Sequence, residues 1–123
     1  MSSFLINKLY NIVSCNQTDN SVSATVQLNA SHEVFKGHFP SIPVVPGVCQ
    51  VQILKELLED KIGRNLKLIA GDNIKFTGMI LPDKNQIINI EMNTITNGDE
   101  YSVDAKLFFE NTIFTKFKGK FKA

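Results

Sequence analysis

Cysteine is scarce in this chain: Cys15 and Cys49 are the only two in 123 residues. Two thiols are too few for a disulfide scaffold, and neither lies in a Cys/His spacing suited to zinc, so both read as free and no metal site is expected. An excess of one charge is also missing. Thirteen Lys+Arg against twelve Asp+Glu leave a net charge of +1, so no global field draws the chain to nucleic acid or anionic lipid. No apolar run approaches the roughly 18 residues of a membrane span. The opening MSSFLINKLYNIV has neither a signal-peptide core nor a cleavage site. These absences predict a cytoplasmic protein with no membrane and no nucleic-acid partner, in which the sequons at Asn16 and Asn29 carry no meaning. Phosphate loops and RNA-binding aromatic platforms are missing too.

What remains is ordinary globular composition, 43% hydrophobic and 20% charged. That excludes disorder and coiled coil and predicts one domain over residues 1–123. Leu9–Cys15 and Ser21–Leu28 are β-branched, roughly alternating runs on either side of Thr18-Asp19-Asn20, which predicts a hairpin. From Gly47 to about Ile62, Val48, Val51, Leu54, Leu58 and Ile62 recur at three- and four-residue steps, with Lys55, Glu59 and Lys61 elsewhere on the wheel. This is the one helix expected, with Pro46 at its start and Gly63 as its stop. Four strands should follow, over Leu66–Phe76, Gln86–Thr96, Tyr101–Glu110 and Thr112–Phe121, with Asn97-Gly98 as the strongest hairpin signal. One helix and about six antiparallel strands make an α+β fold whose sheet wraps around the helix and buries its apolar stripe.

Ala30–Pro46 is an irregular connection holding three of the four prolines, longer than most loops and therefore a candidate for function. Gly37 within it and Gly47 just after it bracket His38. Prolines stiffen the segment, the glycines allow close backbone approach, and the free N–H groups of Gly47 and Val48 at the helix start suit negative charge on a carbonyl oxygen. A lone histidine in isolation is more often structural than catalytic; a rigid loop leading into a helix start favours catalysis.

The stretch from Phe35 to Glu56, FKGHFPSIPVVPGVCQVQILKE, resembles the hot-dog-fold 3-hydroxyacyl-[acyl carrier protein] dehydratases of fatty-acid synthesis and their polyene and polyketide relatives. Their pattern is roughly G-H-F-P-G-x-P-x-x-P-G-V followed by a helix, and Gly37, His38, Phe39, Pro40, Pro43, Pro46, Gly47 and Val48 fit it. A weaker echo is IKFTGMILPDK, Ile74 to Lys84, similar to a family strand with a basic-Phe pair that ends in Pro-Gly-Asp; here Asp83 follows Pro82 directly. The resemblance implies dehydration of a 3-hydroxyacyl thioester to the trans-2-enoyl thioester. His38 would remove the α-proton, its ring oriented by a loop carbonyl near Val44, and Gly47 N–H would hold the thioester carbonyl. Phe39, Val44, Gly47 and Val48 would bind substrate. It further implies a dimer whose sites lie across the interface, and a substrate carried on phosphopantetheine of acyl carrier protein or coenzyme A with no other cofactor.

The sequence departs from the family at the acid. Family members have a carboxylate fourteen residues after the histidine and commonly a glutamine one helical turn later; here the first position is Gln52 and the second Glu56. Residues i and i+4 share a helix face, so Glu56 should point roughly where Gln52 does, about 5–6 Å further along. A glutamine orients a hydroxyl but cannot protonate it as a carboxylic acid can. Three readings stay open. Glu56 supplies the acid, directly or through a water; His38 carries the proton alone while Gln52 orients the substrate; or the chain is a catalytically weak subunit or carrier-protein adaptor that pairs with an active homologue. A hot-dog thioesterase is the remaining enzymatic alternative, since a helix start that polarises a thioester for enolisation can polarise it for water. Glu56 as a solvated helix-face carboxylate is the plainest structural alternative.

At the C-terminal strand, Lys116, Lys118, Lys120 and Lys122 fall on one face and Thr115, Phe117 and Phe121 on the other. With Lys36 or Lys75 they are candidates for docking an acidic carrier protein; the alternative is a charged edge strand that discourages aggregation.

Overall fold

The computed structural model describes residues 6, 8–31, 44–82 and 86–123. Its elements are β1 (Tyr10–Thr18), β2 (Ser21–Leu28), α1 (Gly47–Ile62), β3 (Lys67–Phe76), β4 (Ile87–Asn97), β5 (Glu100–Phe109) and β6 (Thr112–Lys122). The strands form one six-stranded sheet in the order β1-β2-β4-β5-β6-β3, with every pairing antiparallel. The helix and β2 occupy the residues expected of them, and the other strands differ by a few residues at their ends.

Two of those differences have a turn-level cause. Thr18 pairs with Ser21, so β1 runs on past Cys15 and the loop is Asp19-Asn20 alone. Thr18 belongs to the strand, where its hydroxyl lies 2.7 Å from that of Ser21. At the second hairpin Asn97 pairs with Glu100, so the turn is Gly98-Asp99 rather than Asn97-Gly98. Gly98 alone takes a positive φ there, +66°, which matches a turn with glycine at its first central position and no demand on the second.

One face of the sheet supplies the core by period-2 alternation: Val22, Ala24, Val26 and Leu28 of β2, Ile88, Ile90 and Met92 of β4, and Val103, Ala105 and Leu107 of β5 all point inward. Ile53, Leu54, Leu57 and Leu58 of α1 pack into the same cluster. The sheet curves around the helix, because strands from edge to edge reach it. Tyr10 of β1 bonds Glu56, Thr115 of β6 bonds Gln50, and the ring of Phe76 in β3 lies over Gly47.

This enclosure corrects the expected helix wheel. Val48, expected inside, is 79% exposed, whereas Glu59, expected in solvent, is 0% exposed. Glu59 turns inward because its Oε2 accepts the Leu66 N–H at 2.8 Å, tying the helix C-terminus to the entry of β3. Gly63 ends the helix in the left-handed region, donating its N–H to Glu59 O at 2.7 Å.

The β6 lysines alternate as expected, with Lys116, Lys118, Lys120 and Lys122 exposed and Thr115, Phe117 and Phe121 buried. The strand itself is not an edge, since it lies between β5 and β3. That removes the edge-protection reading of the stripe; among the described strands the outermost are β1 and β3.

Candidate active site

Val45 N–H donates to Ile80 O at 2.9 Å, fastening the residues before α1 to the chain beyond β3. The Gln50 side chain is 3% exposed and completes the anchor. Its Nε2 donates to Val45 O at 3.1 Å, and its Oε1 accepts the Thr115 hydroxyl of β6. The first helical turn is thus held from inside by an amide bonded at both its nitrogen and its oxygen. Pro46 O accepts the N–H of Cys49 and Gln50 at 3.0 and 3.1 Å. Among the described residues no side chain caps the helix, and its first turn carries no acid. The N–H groups of Gly47 and Val48 are left at the positive end of the helix dipole.

That helix start opens into a groove of about 570 Å³. Gly47, Val48, Val51, Gln52 and Lys55 form its helical wall, and Leu68, Ile74, Phe76 and Phe121 form its strand wall. A Cβ on Gly47 would lie 2.7 Å from Cζ of Phe76, so glycine is what lets the ring cover the helix start.

Gln52 is half-buried in the groove wall, and its Nε2 donates to Glu56 Oε2 at 2.9 Å. Glu56 stands behind it. The other carboxylate oxygen, Oε1, accepts the Ile6 N–H at 2.9 Å and the Tyr10 hydroxyl at 3.0 Å. At 3% exposure Glu56 is no solvated helix-face carboxylate. Tyr10 is fully buried, and its hydroxyl pKa is pushed far above the usual tyrosine value, first by burial and then by the Glu56 carboxylate and the hydrogen bond to it. A carboxylate only accepts, so the bond fixes which end of the Gln52 amide faces it: nitrogen toward Glu56, leaving Oε1 as the acceptor for a ligand.

The structure therefore brings Gly47, Val48 and Gln52 together on one groove. Val44 and Glu56 do not line it, although Glu56 shares the helix face of Gln52 as the spacing requires. His38, Phe39 and Lys36 lie outside the described residues. The sequence reading missed Tyr10, Gln50, Lys55 and Glu59. A polar residue within the apolar arc of the wheel is the signal that marks Gln50; nothing local marks Tyr10 or Glu59. Phe76 was visible as the aromatic of the basic-Phe pair.

A family model of ApeI-like proteins, described as ApeI dehydratase, matches residues 14–116. The chain belongs to the ApeI-like dehydratase family. Curated relatives carry the name 3-hydroxyacyl-[acyl-carrier-protein] dehydratase FabZ. One from Syntrophomonas wolfei is 32% identical over 55% of this chain and 52% of its own length. Another, from Ruminiclostridium cellulolyticum, is 29% identical over 80% of this chain and 64% of its own. The chain thus spans between half and two thirds of these relatives. Among solved structures, the dehydratase heterocomplex ApeI:P from Xenorhabdus doucetiae is similar at a TM-score of 0.75 and 17% identity, covering 92% of this chain and 97% of that one. The ApeI-like chain has the hot-dog fold that its sequence resembled, and among its described residues no helix is long and apolar enough to cross a membrane.

Proposed function

We propose that this chain dehydrates a 3-hydroxyacyl thioester, carried on the phosphopantetheine of an acyl carrier protein, to the trans-2-enoyl thioester. The observation that carries the reading is the Gln52 amide held at 2.9 Å by Glu56, on a groove that begins at the free N–H groups of Gly47 and Val48. In this reading Gly47 N–H donates a hydrogen bond to the thioester oxygen and stabilises the charge that grows there, with the helix dipole behind it. Gln52 Oε1 accepts the hydrogen of the substrate 3-hydroxyl and fixes that group in place. His38 removes the α-proton and becomes imidazolium. The enolate then expels the hydroxyl as His38 returns the same proton to it, so that one water leaves and the α,β double bond forms. Of the three readings of the acid, this is the one with His38 as sole proton carrier. It is favoured because Glu56 is buried behind Gln52, outside the groove, with both oxygens accepting hydrogen bonds. Glu56 then acts as a positioning residue.

The reaction is redox-neutral and calls for no electron carrier. Two unpaired thiols, Cys15 and Cys49, suit a reducing compartment, and we place the protein in the cytoplasm. A homodimer is proposed through the β3 edge, where Leu68, Ile69 and Phe76 are exposed and an uncovered ten-residue strand is a template for pairing. Pairing with a second, active dehydratase-like chain is the alternative, by analogy with the Xenorhabdus heterocomplex.

Mass spectrometry of a 3-hydroxyacyl carrier protein incubated with the enzyme tests the reaction. Loss of one water from the carried acyl group is expected. Release of free thiol instead would identify a thioesterase, and an unchanged carrier would leave the weak-subunit reading standing.

A further inference from the structure

Among the groove's lining residues Lys55 alone carries a charge. It follows Gly47 on the same helix, about 12 Å further along the axis at 1.5 Å per residue, and the walls between are apolar apart from Gln52. Its side chain is 19% exposed, and its Nζ lies 3.6 Å from Oε2 of the fully buried Glu59. That separation is an ion pair but too long for a good hydrogen bond. The Lys55 ammonium has no other partner among the described residues, and Glu59 Oε1 is buried without any hydrogen-bond partner there. A mostly buried ammonium with unused donors is costly unless something accepts from it.

We propose that Lys55 reads the distal end of the acyl chain and selects substrates that carry an uncharged oxygen there, such as a hydroxyl or a carbonyl. With the thioester carbonyl at Gly47 N–H, a chain lying along the helix reaches Lys55 after about 12 Å. A methyl end at that point would remove water from the ammonium and give nothing back. A hydroxyl or carbonyl accepts a charge-assisted hydrogen bond. A carboxylate is disfavoured, because Glu59 already neutralises Lys55 and a second anion would leave the site with a net buried charge. Lys55 is thus a specificity-determining residue, and its role rests on the dehydratase reading for the direction of the chain.

The test is calorimetric binding of 3-hydroxyacyl pantetheine amides, in which nitrogen replaces the thioester sulfur so that the ligand is held at the helix start. Ligands of increasing chain length are compared in pairs, one ending in methyl and one in hydroxyl. The parent protein is expected to bind the hydroxyl-ended ligand about ten-fold tighter, the scale of a hydrogen bond to a charged group, at the length that reaches Lys55 and at no shorter one. Lys55→Met combined with Glu59→Gln, which removes the pair together, should abolish or reverse the preference, and Lys55→Arg should keep it. Equal binding of the paired ligands by the parent, or no binding of either, overturns the inference without recourse to a variant. A preference that persists while the matching thioesters are not dehydrated leaves Lys55 as a selector and removes the dehydratase reading instead.

Discussion

Gln52 and Glu56 are one helical turn apart and joined by a 2.9 Å hydrogen bond, amide to carboxylate. The glutamine lines the groove and the glutamate does not. The two side chains therefore act as a unit in which the buried residue sets the orientation of the one that lines the groove.

A double-mutant cycle on the pair follows directly. Glu56→Gln presents an amide where a carboxylate accepted, so Gln52 must turn its own nitrogen toward the groove. Gln52→Ala removes the acceptor altogether. Each change should lower kcat by about ten-fold or more, and the double variant should be little worse than either single one, because residues that act as a unit are non-additive. The contrary pattern, a loss of about 100-fold or more for Glu56→Gln beside a small effect of Gln52→Ala, is that of a general acid at Glu56.

Tyr10→Phe should lower stability by about 2 kcal/mol in urea unfolding, since it deletes a buried hydrogen bond to a charged partner. The pH dependence has a definite sign. The folded-state pKa of Tyr10 is raised, so above the unfolded value of about 10 the unfolded state loses a proton that the folded state keeps. Stability is intact below that pH and falls above it, by up to about 1.4 kcal/mol per pH unit. Stability curves of the two proteins measured from neutral to alkaline pH should converge as the parent loses this term. Parallel curves would show that Tyr10 ionises as readily folded as unfolded.

Gly47→Ala should impair turnover more than stability. The added Cβ lies 2.7 Å from the Phe76 ring, and that ring is 54% exposed and free to swing outward, uncovering the helix start. Steady-state kinetics should show the loss, with partial recovery on adding Phe76→Leu, which shortens the obstructing side chain. Full activity of Gly47→Ala alone would show that the covered helix start is not needed.

The outer face of the sheet gives a prediction about the carrier. Lys116 pairs with Lys75 on one side and with Lys106 on the other, three like charges in one rung; Glu91 neutralises Lys106 at 3.5 Å, which leaves Lys75 and Lys116 facing each other without an ion pair among the described residues, an arrangement that costs stability. Lys75→Glu with Lys116→Glu should raise KM for an acyl carrier protein substrate and weaken its salt dependence, while leaving the matching coenzyme A thioester nearly unaffected. Equal effects on both substrates would remove this face from carrier docking.

The elements were legible because each has a strong local signal: alternation in β2, glycine and proline at the two ends of α1, and turn residues between β4 and β5. The inward turn of Glu59 was not, because it is set by the Leu66 N–H, a partner that only the chain reversal after Gly63 brings near. Helical spacing places Glu56 on the face of Gln52 but says nothing of Tyr10, 46 residues away, whose hydroxyl helps make that carboxylate a buried one. Nor can the two-residue period say whether the β6 lysines belong to an edge, since strand order depends on the sheet as a whole. The histidine motif was plain in sequence; the groove it is proposed to serve needed β3 and β6 folded against the helix.

The account rests on a single proton carrier working beside an oriented glutamine, and the rate of water loss from a carried 3-hydroxyacyl group, measured side by side for the parent protein, His38→Ala and Gln52→Glu, tests it most directly. The parent should dehydrate the substrate and His38→Ala should not. Gln52→Glu should be no faster than the parent, since it places a second carboxylate against Glu56 and loses the fixed acceptor. An inert parent that Gln52→Glu switches on would contradict the account and mark the chain as a subunit whose acid has been lost.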